Sequence, residues 1–262
     1  MNGSLSIHYL FAVWVFFTGA CVGSFLNVCI HRIPSGQSVI SPASHCPECG
    51  NAIPFYLNLP IISFFILRGR CRYCGQAISP RYPLVEFLTA TLALALVYKF
   101  GLSVPFVFWF AFSAALVTIT FIDIDHQIIP DCISLPGILV CSLSFLILPE
   151  LNFKNAMAGL ICGGGIPWAL AAAYQFIRGH QGLGGGDIKL LAMIGAATGP
   201  SGVLFTLFFS SITGTIVGLA STVGKKEKGQ LKIAFGPFLS IAALLYLFFG
   251  QQIIQWYVLF IG

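Results

Sequence analysis

The chain has 262 residues, of which 57% are hydrophobic and only 8% are charged, and its mean hydropathy is +0.91. Because a soluble domain carries about 25% charged residues, this composition excludes a soluble protein and predicts an all-α integral membrane protein. The net charge of +5 comes from basic residues spread between apolar runs. It therefore indicates membrane topology and contact with lipid, and we expect no nucleic-acid partner.

Apolar runs predict about eight transmembrane helices, since a helix needs about 20 apolar residues to cross a bilayer. The predicted spans are residues 7–30, 83–100, 104–122, 131–149, 155–177, 187–199, 202–222 and 233–261. The sixth span is short, and the turn Gly199-Pro-Ser-Gly202 separates it from the seventh. This pattern divides the chain into a first transmembrane helix (1–30), a polar loop (31–82) and a transmembrane core (83–262).

The distribution of Lys and Arg predicts how the chain lies in the membrane. If the first helix runs from outside to inside, 11 of the 13 basic residues fall on one side and only Lys99 and Lys154 on the other. We therefore expect the N-terminus outside and the polar loop in the cytoplasm. A lysine cluster is interpreted as an inside-positive loop that faces anionic lipid; it consists of Lys225, Lys226, Lys228 and Lys232.

Two pairs of cysteines lie in the polar loop, which is too small to bury a convincing core of its own. The pairs are Cys46-Pro-Glu-Cys49-Gly and Cys71-Arg-Tyr-Cys74-Gly, in which the glycine supplies a left-handed backbone position. Four sulfurs at this spacing predict a closed, structural Zn²⁺ site. Disulfides are an alternative that a reducing cytoplasm disfavours, and a redox motif would not explain two pairs.

Four of the eight acidic residues lie in two short stretches at the ends of apolar runs. Asp123, Asp125 and Asp131 belong to the first stretch, and Asp187 follows three glycines in the second. An unpaired carboxylate in a membrane helix is costly and indicates a function. Two carboxyls that face one another share a proton, because both cannot ionise at close range. That arrangement is the chemistry of an aspartic protease.

Two other interpretations of the acidic residues are possible. A transporter could use Asp123 and Asp187 as a proton relay, but it predicts acids near the bilayer midplane and a repeated half, and the sequence shows neither. A membrane scaffold that docks partners through its zinc loop would leave the Asp pair unexplained.

The end of the first helix is unusually polar. Gly23, Asn27 and His31 follow one another at four-residue spacing and share one helix face, and Arg32 comes next. One interpretation is helix packing with a snorkelling Arg. The other is a stripe that faces a substrate or cofactor.

Six motifs occur along the chain in a fixed order. They are Gly23-Ser-Phe-Leu-Asn-Val with Arg32-Ile-Pro34, the two CxxC pairs, Arg81-Tyr-Pro-Leu-Val-Glu86, Asp123 with Ile129-Pro-Asp131, Gly184-Gly-Gly-Asp187, and Phe235-Gly-Pro-Phe238. In this order they resemble the bacterial prepilin peptidases, which are the type IV leader peptidase family of GxGD membrane aspartic proteases. The GxGD motif alone is a weak signal, but the resemblance covers nearly the whole chain.

The resemblance implies two activities in the bacterial inner membrane. The first cleaves the basic leader of type IV prepilins or type II secretion pseudopilins, after a Gly and on the cytoplasmic face. The second methylates the new N-terminal amine with S-adenosylmethionine. Some family members lack the cysteines, so zinc is not essential to the proteolysis in general. The oligomeric state and the choice among such substrates are left open.

The family's catalytic aspartates carry over onto Asp187 and Asp123. In related shorter members the catalytic Asp stands seven residues before the Pro of the Ile-Pro pair, which here is Pro130. Asp125 is then interpreted as a solvated loop acid and Asp131 as a cap or turn residue. A helix cap is the alternative for Asp187.

Two further residues and the methyl-transfer site are less well defined. Lys189 either pairs with an acid or marks the cytoplasmic border. Glu86 either acts on substrate or in methyl transfer, or forms an ordinary ion pair with Arg81. By resemblance alone, the methyl-transfer site belongs with the polar loop and the stretch from Gly23 to Pro34.

Overall fold

The computed structural model describes residues 2–179, 184–222 and 234–261, and they are helical apart from the connecting loops, which confirms the all-α prediction. The helices are α1 (Asn2–Arg32), α2 (Ile62–Ile66), α3 (Arg81–Phe100), α4 (Val104–His126), α5 (Asp131–Ser142), α6 (Phe153–Leu160), α7 (Ile166–Arg178), α8 (Gly185–Thr222) and α9 (Gly236–Ile261). A π-helical turn, Ile161–Gly165, joins α6 to α7. The lysine cluster at residues 225–232 lies outside the described residues.

Six helical stretches in the described residues are long and apolar enough to cross a membrane. They are Tyr9–Arg32, Arg81–Phe100, Val104–His126, Phe153–Arg178, Gly185–Ser221 and Gly236–Trp256.

The predicted count of eight is therefore not confirmed, for two reasons. The fourth predicted span contains a helix of only 12 residues, which at 1.5 Å per residue is about 18 Å long and too short for the bilayer core. The sixth and seventh lie in α8, whose two helical segments meet at Gly199 and count as one of the six stretches. The predicted break between them is nevertheless present as a kink, since Gly199 has φ +75° and ψ −177°.

The chain forms two compact units, Met1–Thr118 and Ile119–Gly262. In the first unit, α1 packs along α3 through small residues. A Cβ added at Gly19 would lie 2.8 Å from the Cβ of Ala93, and one added at Gly23 would lie 2.7 Å from the Cα of Glu86. Such small residues let two membrane helices approach closely, so these glycines set the distance between the end of α1 and the beginning of α3.

In the second unit, α8 is the central element and contacts α5, α6 and α9. Its buried face is apolar and includes Leu190, Ile194 and Val203, each 0% exposed. The backbones of α6 and α8 meet where Gly159 lies against the carbonyl of Gly195. This packing holds the N-terminal end of α8, where Asp187 lies, in a fixed position.

Candidate active site and metal centre

Asp123 is a buried acid near the C-terminal end of α4. Its residue is 4% exposed, and its Oδ2 accepts a hydrogen bond from the backbone N–H of Gly236 at 2.8 Å. A carboxylate is disfavoured at the negative, C-terminal end of its own helix but favoured at the N-terminus of another. Gly236 is the first residue of α9, so α9 supplies the donor and the dipole that stabilise the Asp123 carboxylate.

The approach of α9 to Asp123 depends on a missing side chain. A Cβ added at Gly236 would lie 2.7 Å from Oδ2 of Asp123, which is closer than non-bonded atoms approach. The structure therefore explains why glycine, and not a residue with a side chain, stands at position 236 of Phe235-Gly-Pro-Phe238. The sequence alone did not explain it.

Asp187 lies in the first turn of α8, inside the helix rather than at the cap position before it. The negative charge is favoured there by the helix dipole. A Cβ added at Gly184 would lie 2.8 Å from Oδ2 of Asp187, and one added at Gly186 would lie 3.0 Å from the Cβ of Ile129. The glycines of Gly184-Gly-Gly-Asp187 thus leave room beside the carboxyl group and against the segment that follows α4.

The second unit brings the two predicted catalytic residues together. Asp123 and Asp187 lie close enough for the charge of one to act on the carboxyl group of the other. Asp125 is exposed, although it is only two residues from Asp123 in the sequence. The arrangement places two carboxyl groups from different helices within electrostatic range of one another, which is the pairing that would let one activate a water molecule and the other polarise a carbonyl.

Asp131 is the first residue of α5 and forms an ion pair with Lys189, with Nζ and Oδ1 2.6 Å apart. The two side chains are 59% and 37% exposed, respectively. Lys189 thus pairs with Asp131, which was the less favoured of its two interpretations. The pair joins the beginning of α5 to the beginning of α8, close in sequence to Asp187.

The polar loop in the first unit contains the four-cysteine cluster: Cys46, Cys49, Cys71 and Cys74, whose Sγ atoms all lie within 4.8 Å of one another. The Sγ atoms of Cys46 and Cys74 are 3.9 Å apart, and the described cysteines form no disulfide. Thiolates at 2.3 Å from a tetrahedral Zn²⁺ would be about 3.8 Å from one another. The cluster therefore has the dimensions of a four-sulfur metal site.

The two halves of the cluster repeat the same backbone pattern. Cys46 N–H donates to the carbonyl of Asn51 at 2.9 Å, and Cys71 N–H donates to the carbonyl of Gln76 at 2.8 Å. Gly50 and Gly75 have φ of +69° and +72°, as predicted for the position after each CxxC pair. Each half is a tight turn that presents two sulfurs from the same side.

The backbone also prepares one thiol for a metal ion. Hydrogen bonds from the backbone N–H groups of Cys74 and Tyr73 lower the pKa of the Cys71 thiol to about 7. A metal ion binds the thiolate and not the thiol, so the turn favours the binding form at Cys71. At Cys74 the N–H of Gln76 lowers the pKa of the thiol, but burial and hydrogen bonds with the other three cysteines raise it to about 11.

Family models match both parts of the chain. Residues 17–100 match the bacterial peptidase A24 N-terminal domain, and residues 110–219 match the type IV leader peptidase family. A prepilin leader peptidase/N-methyltransferase from Aeromonas hydrophila is 33% identical over 273 residues, covering 95% of this chain and 94% of that protein. The chain belongs to the type IV leader peptidase family.

Two other relatives agree with this assignment, and both carry the name prepilin leader peptidase/N-methyltransferase. The protein from Myxococcus xanthus is 40% identical over 221 residues, which is 84% of this chain and 66% of that protein. The protein from Pseudomonas aeruginosa is 31% identical, covering 96% of this chain and 95% of that protein. No solved structure matches the chain.

The polar end of the first helix in this family member is packed and also lines a cavity. Asn27 is 6% exposed and donates to the carbonyl of Tyr82 at 3.0 Å. Arg32 is 7% exposed and donates to the carbonyl of Ser38 at 3.0 Å. Both residues line the same cavity of about 420 Å³, so the two interpretations of this stretch do not exclude each other.

Glu86 is held by a contact that the sequence did not indicate. Its Oε2 accepts a hydrogen bond from the backbone N–H of Ile61 at 2.7 Å. The contact to Ile61 spans 25 residues of loop, which is why the sequence did not reveal it.

Proposed function

We propose that this family member is an aspartic endopeptidase that removes the leader peptides of type IV prepilins and type II secretion pseudopilins. The cut would follow a Gly and lie on the cytoplasmic face, and the new N-terminal amine would then be methylated. The names of the relatives support both activities. The observation that carries the proposal is the buried Asp123 carboxylate held within electrostatic range of Asp187.

In the proposed mechanism the two aspartates bind a water molecule between them and share one proton. The ionised carboxylate deprotonates the water, while the protonated carboxyl hydrogen-bonds the scissile carbonyl and then helps to protonate the leaving amine. Steps of this kind each contribute about 10²–10⁴-fold to the rate. The N–H of Gly236 fixes the orientation of Asp123, and the pair titrates as a unit.

The four-cysteine cluster is proposed to bind a structural Zn²⁺ ion. Four sulfurs close the coordination shell and leave no position for substrate, so the ion stabilises the loop rather than acting in the chemistry. The four ligands would be Cys46, Cys49, Cys71 and Cys74, whose spacing fits this ion.

The proposed division of labour follows the three segments of the chain. Residues 1–30 anchor the polar loop, residues 31–82 form the zinc-binding loop, and residues 83–262 form the peptidase core. S-adenosylmethionine would donate the methyl group. The protein would lie in the bacterial inner membrane with its N-terminus outside and the aspartates toward the cytoplasm, as the distribution of basic residues suggests.

A cleavage assay in liposomes tests the proposal. The substrate is a prepilin with a basic leader that ends in Gly, incubated with S-adenosylmethionine and the full-length protein. Mass spectrometry reads both the cut and the added methyl group in one sample. We expect a mature product that is one methyl group heavier than the cleaved peptide.

The alternative of a proton relay in a transporter has no support from the comparisons. We would return to that alternative if the wild-type protein, folded and inserted in the membrane, cut no substrate of this type. Proton flux through liposomes that contain the protein would then be the next measurement.

A further inference from the structure

One segment of the polar loop is apolar and exposed. Residues 54–67, the apolar segment, contain no charged residue and include the helix α2. A run of about 10–14 apolar residues is too short to cross a bilayer, and is typical of a buried core helix or of a segment at a membrane interface. Because six large hydrophobic side chains of the segment are exposed, the interface fits better than a core. They are Phe55, Tyr56, Leu59, Ile62, Phe65 and Ile66.

The two sides of α2 are reversed relative to a helix of a soluble protein. Such a helix turns its apolar residues to the core and its polar residues to water. In α2 the apolar Ile62, Phe65 and Ile66 are 47%, 70% and 69% exposed, whereas Ser63 is 7% exposed. The three exposed residues share one face, since they are three and four positions apart. The outer face of α2 is therefore suited to lipid and not to water.

A contact to α3 places the beginning of α2 beside the bilayer. Ile61, immediately before α2, donates its N–H to Oε2 of Glu86 at 2.7 Å. Glu86 lies five residues after Arg81, where α3 begins, and is thus about 7.5 Å along the helix axis. Since α3 is long and apolar enough to cross a membrane, α2 is attached within the spanning stretch and not beyond its end.

The apolar segment also lies beside α1. Pro60 lines a cavity of about 370 Å³ together with Cys21 and Ser24 of α1. Cys21 is 11 residues before Arg32, where α1 ends, which corresponds to about 16 Å along the helix. The loop chain thus descends along α1 before α2 begins, and both spanning helices of the unit place the apolar segment at the level of the membrane interface.

Two exposed arginines follow α2, Arg68 and Arg70. Arginines near a membrane surface lay their apolar stems along lipid and hold their charged ends at the phosphates. The same stretch is bonded to the second cysteine turn, because the carbonyl of Gly69 accepts the N–H of Ile78 at 2.7 Å. In the sequence, positive charge therefore stands between the apolar face and the cysteines, as expected where a chain passes from acyl chains to water.

We propose that α2 is a membrane anchor for the polar loop. Ile62, Phe65 and Ile66 enter the leaflet on the loop's side, and Arg68 and Arg70 bind its phosphate groups. The exposed face of α2 is thus covered by lipid of the same bilayer that α1 and α3 cross. The anchor holds the four-cysteine cluster at the membrane surface, and this inference does not depend on the peptidase activity.

The wild-type protein tests the anchor in lipid nanodiscs that hold one chain each. The phospholipids carry a photoactivatable diazirine in the acyl chain, and mass spectrometry of peptides locates the adducts. Phe87 of α3 and Tyr73 of the second cysteine turn are 54% and 53% exposed, and they serve as references for lipid and for water. We expect Phe65 to be labelled within about threefold of Phe87 and about tenfold more than Tyr73, because an interfacial apolar face reaches the acyl chains.

A pair of variants separates contact with lipid from folding of the loop. Phe65→Asp and Tyr73→Asp each replace an exposed aromatic side chain by a carboxylate. A charge is disfavoured among acyl chains, so Phe65→Asp should release α2, and trypsin should cut after Arg68 and Arg70 about tenfold faster than in wild type. Tyr73→Asp should be cut at the wild-type rate. Equal metal content in all three proteins would show that faster cutting does not come from an unfolded cysteine cluster.

Three results would overturn the inference. Labelling of Phe65 as low as that of Tyr73 is the first. The second is strong labelling in single-chain nanodiscs that falls about tenfold in vesicles crowded with protein, since mass action would then assign the face to a second copy of the chain. The third is equal trypsin cutting of wild type and Phe65→Asp. If Phe65→Asp does not insert in the membrane, the labelling of the wild type decides alone.

Discussion

The four-cysteine loop and the aspartate site are constructed in opposite ways. In the loop, each pair of sulfurs comes from one turn. In both turns the N–H of the first cysteine donates to the carbonyl of the residue five positions later. In the aspartate site, the carboxyls come from α4 and α8, and the donor to Asp123 comes from α9, 113 residues further along the chain. The loop is therefore fixed by local backbone geometry and a metal ion, whereas the aspartate site depends on how three long helices pack.

Removing Asp187 should have the largest effect on the aspartate site. Asp187→Asn should lower the cleavage rate by about 10³-fold or more, since it removes one partner of the shared proton. The double variant Asp123→Asn, Asp187→Asn should be no slower than either single variant, because residues that act as a unit are not additive. Cleavage is measured by mass spectrometry under single-turnover conditions. Multiplicative losses in the double variant would show that the two residues act separately.

Removing the metal should disrupt the four-cysteine loop and leave the aspartate site active. Structural zinc sites are worth about 10–16 kcal/mol in small zinc peptides, so Cys71→Ser should lose the bound metal and expose residues 31–82 to limited proteolysis. Cleavage should persist, because the aspartates belong to the second unit. Metal content is measured by mass spectrometry of the purified protein.

Cys132→Ser is the matched control for that experiment. Cys132 is exposed and lies outside the cluster, so this variant should keep one metal ion per chain. Loss of cleavage in step with metal content in Cys71→Ser would contradict the independence of the two sites.

A smaller effect on cleavage is expected from disturbing the contact between Gly236 of α9 and Asp123. Gly236→Ala places a Cβ 2.7 Å from Oδ2 of Asp123, so the hydrogen bond to the carboxylate must lengthen or break. A hydrogen bond to a charged group contributes about 1.5–3 kcal/mol, which corresponds to a roughly 10- to 100-fold slower cleavage. The rate constant at saturating substrate is the relevant quantity.

Gly214→Ala provides the control at another glycine of the second unit. Its added Cβ would lie 3.5 Å from the ring of Phe235, an ordinary contact, so cleavage should stay within about threefold of wild type, or about 0.6 kcal/mol. Equal rates for the two alanine variants would mean that the Gly236 N–H does not position Asp123.

The ion pair between Lys189 and Asp131 should contribute least. Both side chains are more than a third exposed, and exposed pairs are worth about 0.2–1 kcal/mol. Lys189→Met should therefore change the cleavage rate by less than about fivefold and lower the melting temperature only slightly. A loss as large as that of Asp187→Asn would show that Lys189 takes part in the chemistry.

The four-cysteine cluster was easier to predict from the sequence than the aspartate site. The spacing of Cys46, Cys49, Cys71 and Cys74, each pair followed by glycine, constrains the backbone over a few residues. The structure has the left-handed glycines and the clustered sulfurs that this spacing implies. Contacts over long distances were different: nothing in the sequence joins Gly236 to Asp123 or Ile61 to Glu86, because each depends on tertiary packing.

The membrane spans show the same limit. Hydropathy located the apolar helices, and the glycine and proline at residues 199–202 located the break in α8, but hydropathy could not show that α5 ends after 12 residues. Burial in the structure also distinguishes two aspartates that look equivalent in the sequence. Asp123 and Asp125 are two positions apart in the same helix, yet one is 4% exposed and the other is exposed.

That contrast gives the most direct test of the central claim, that Asp123 and Asp187 are the catalytic pair. Asp123→Asn and Asp125→Asn are compared in one prepilin cleavage assay, with mass spectrometry of the product and confirmation that both variants are inserted in the membrane. We expect Asp123→Asn to abolish cutting and Asp125→Asn to cut nearly as fast as wild type. The opposite pattern, with Asp123→Asn active and Asp125→Asn inactive, would contradict the account.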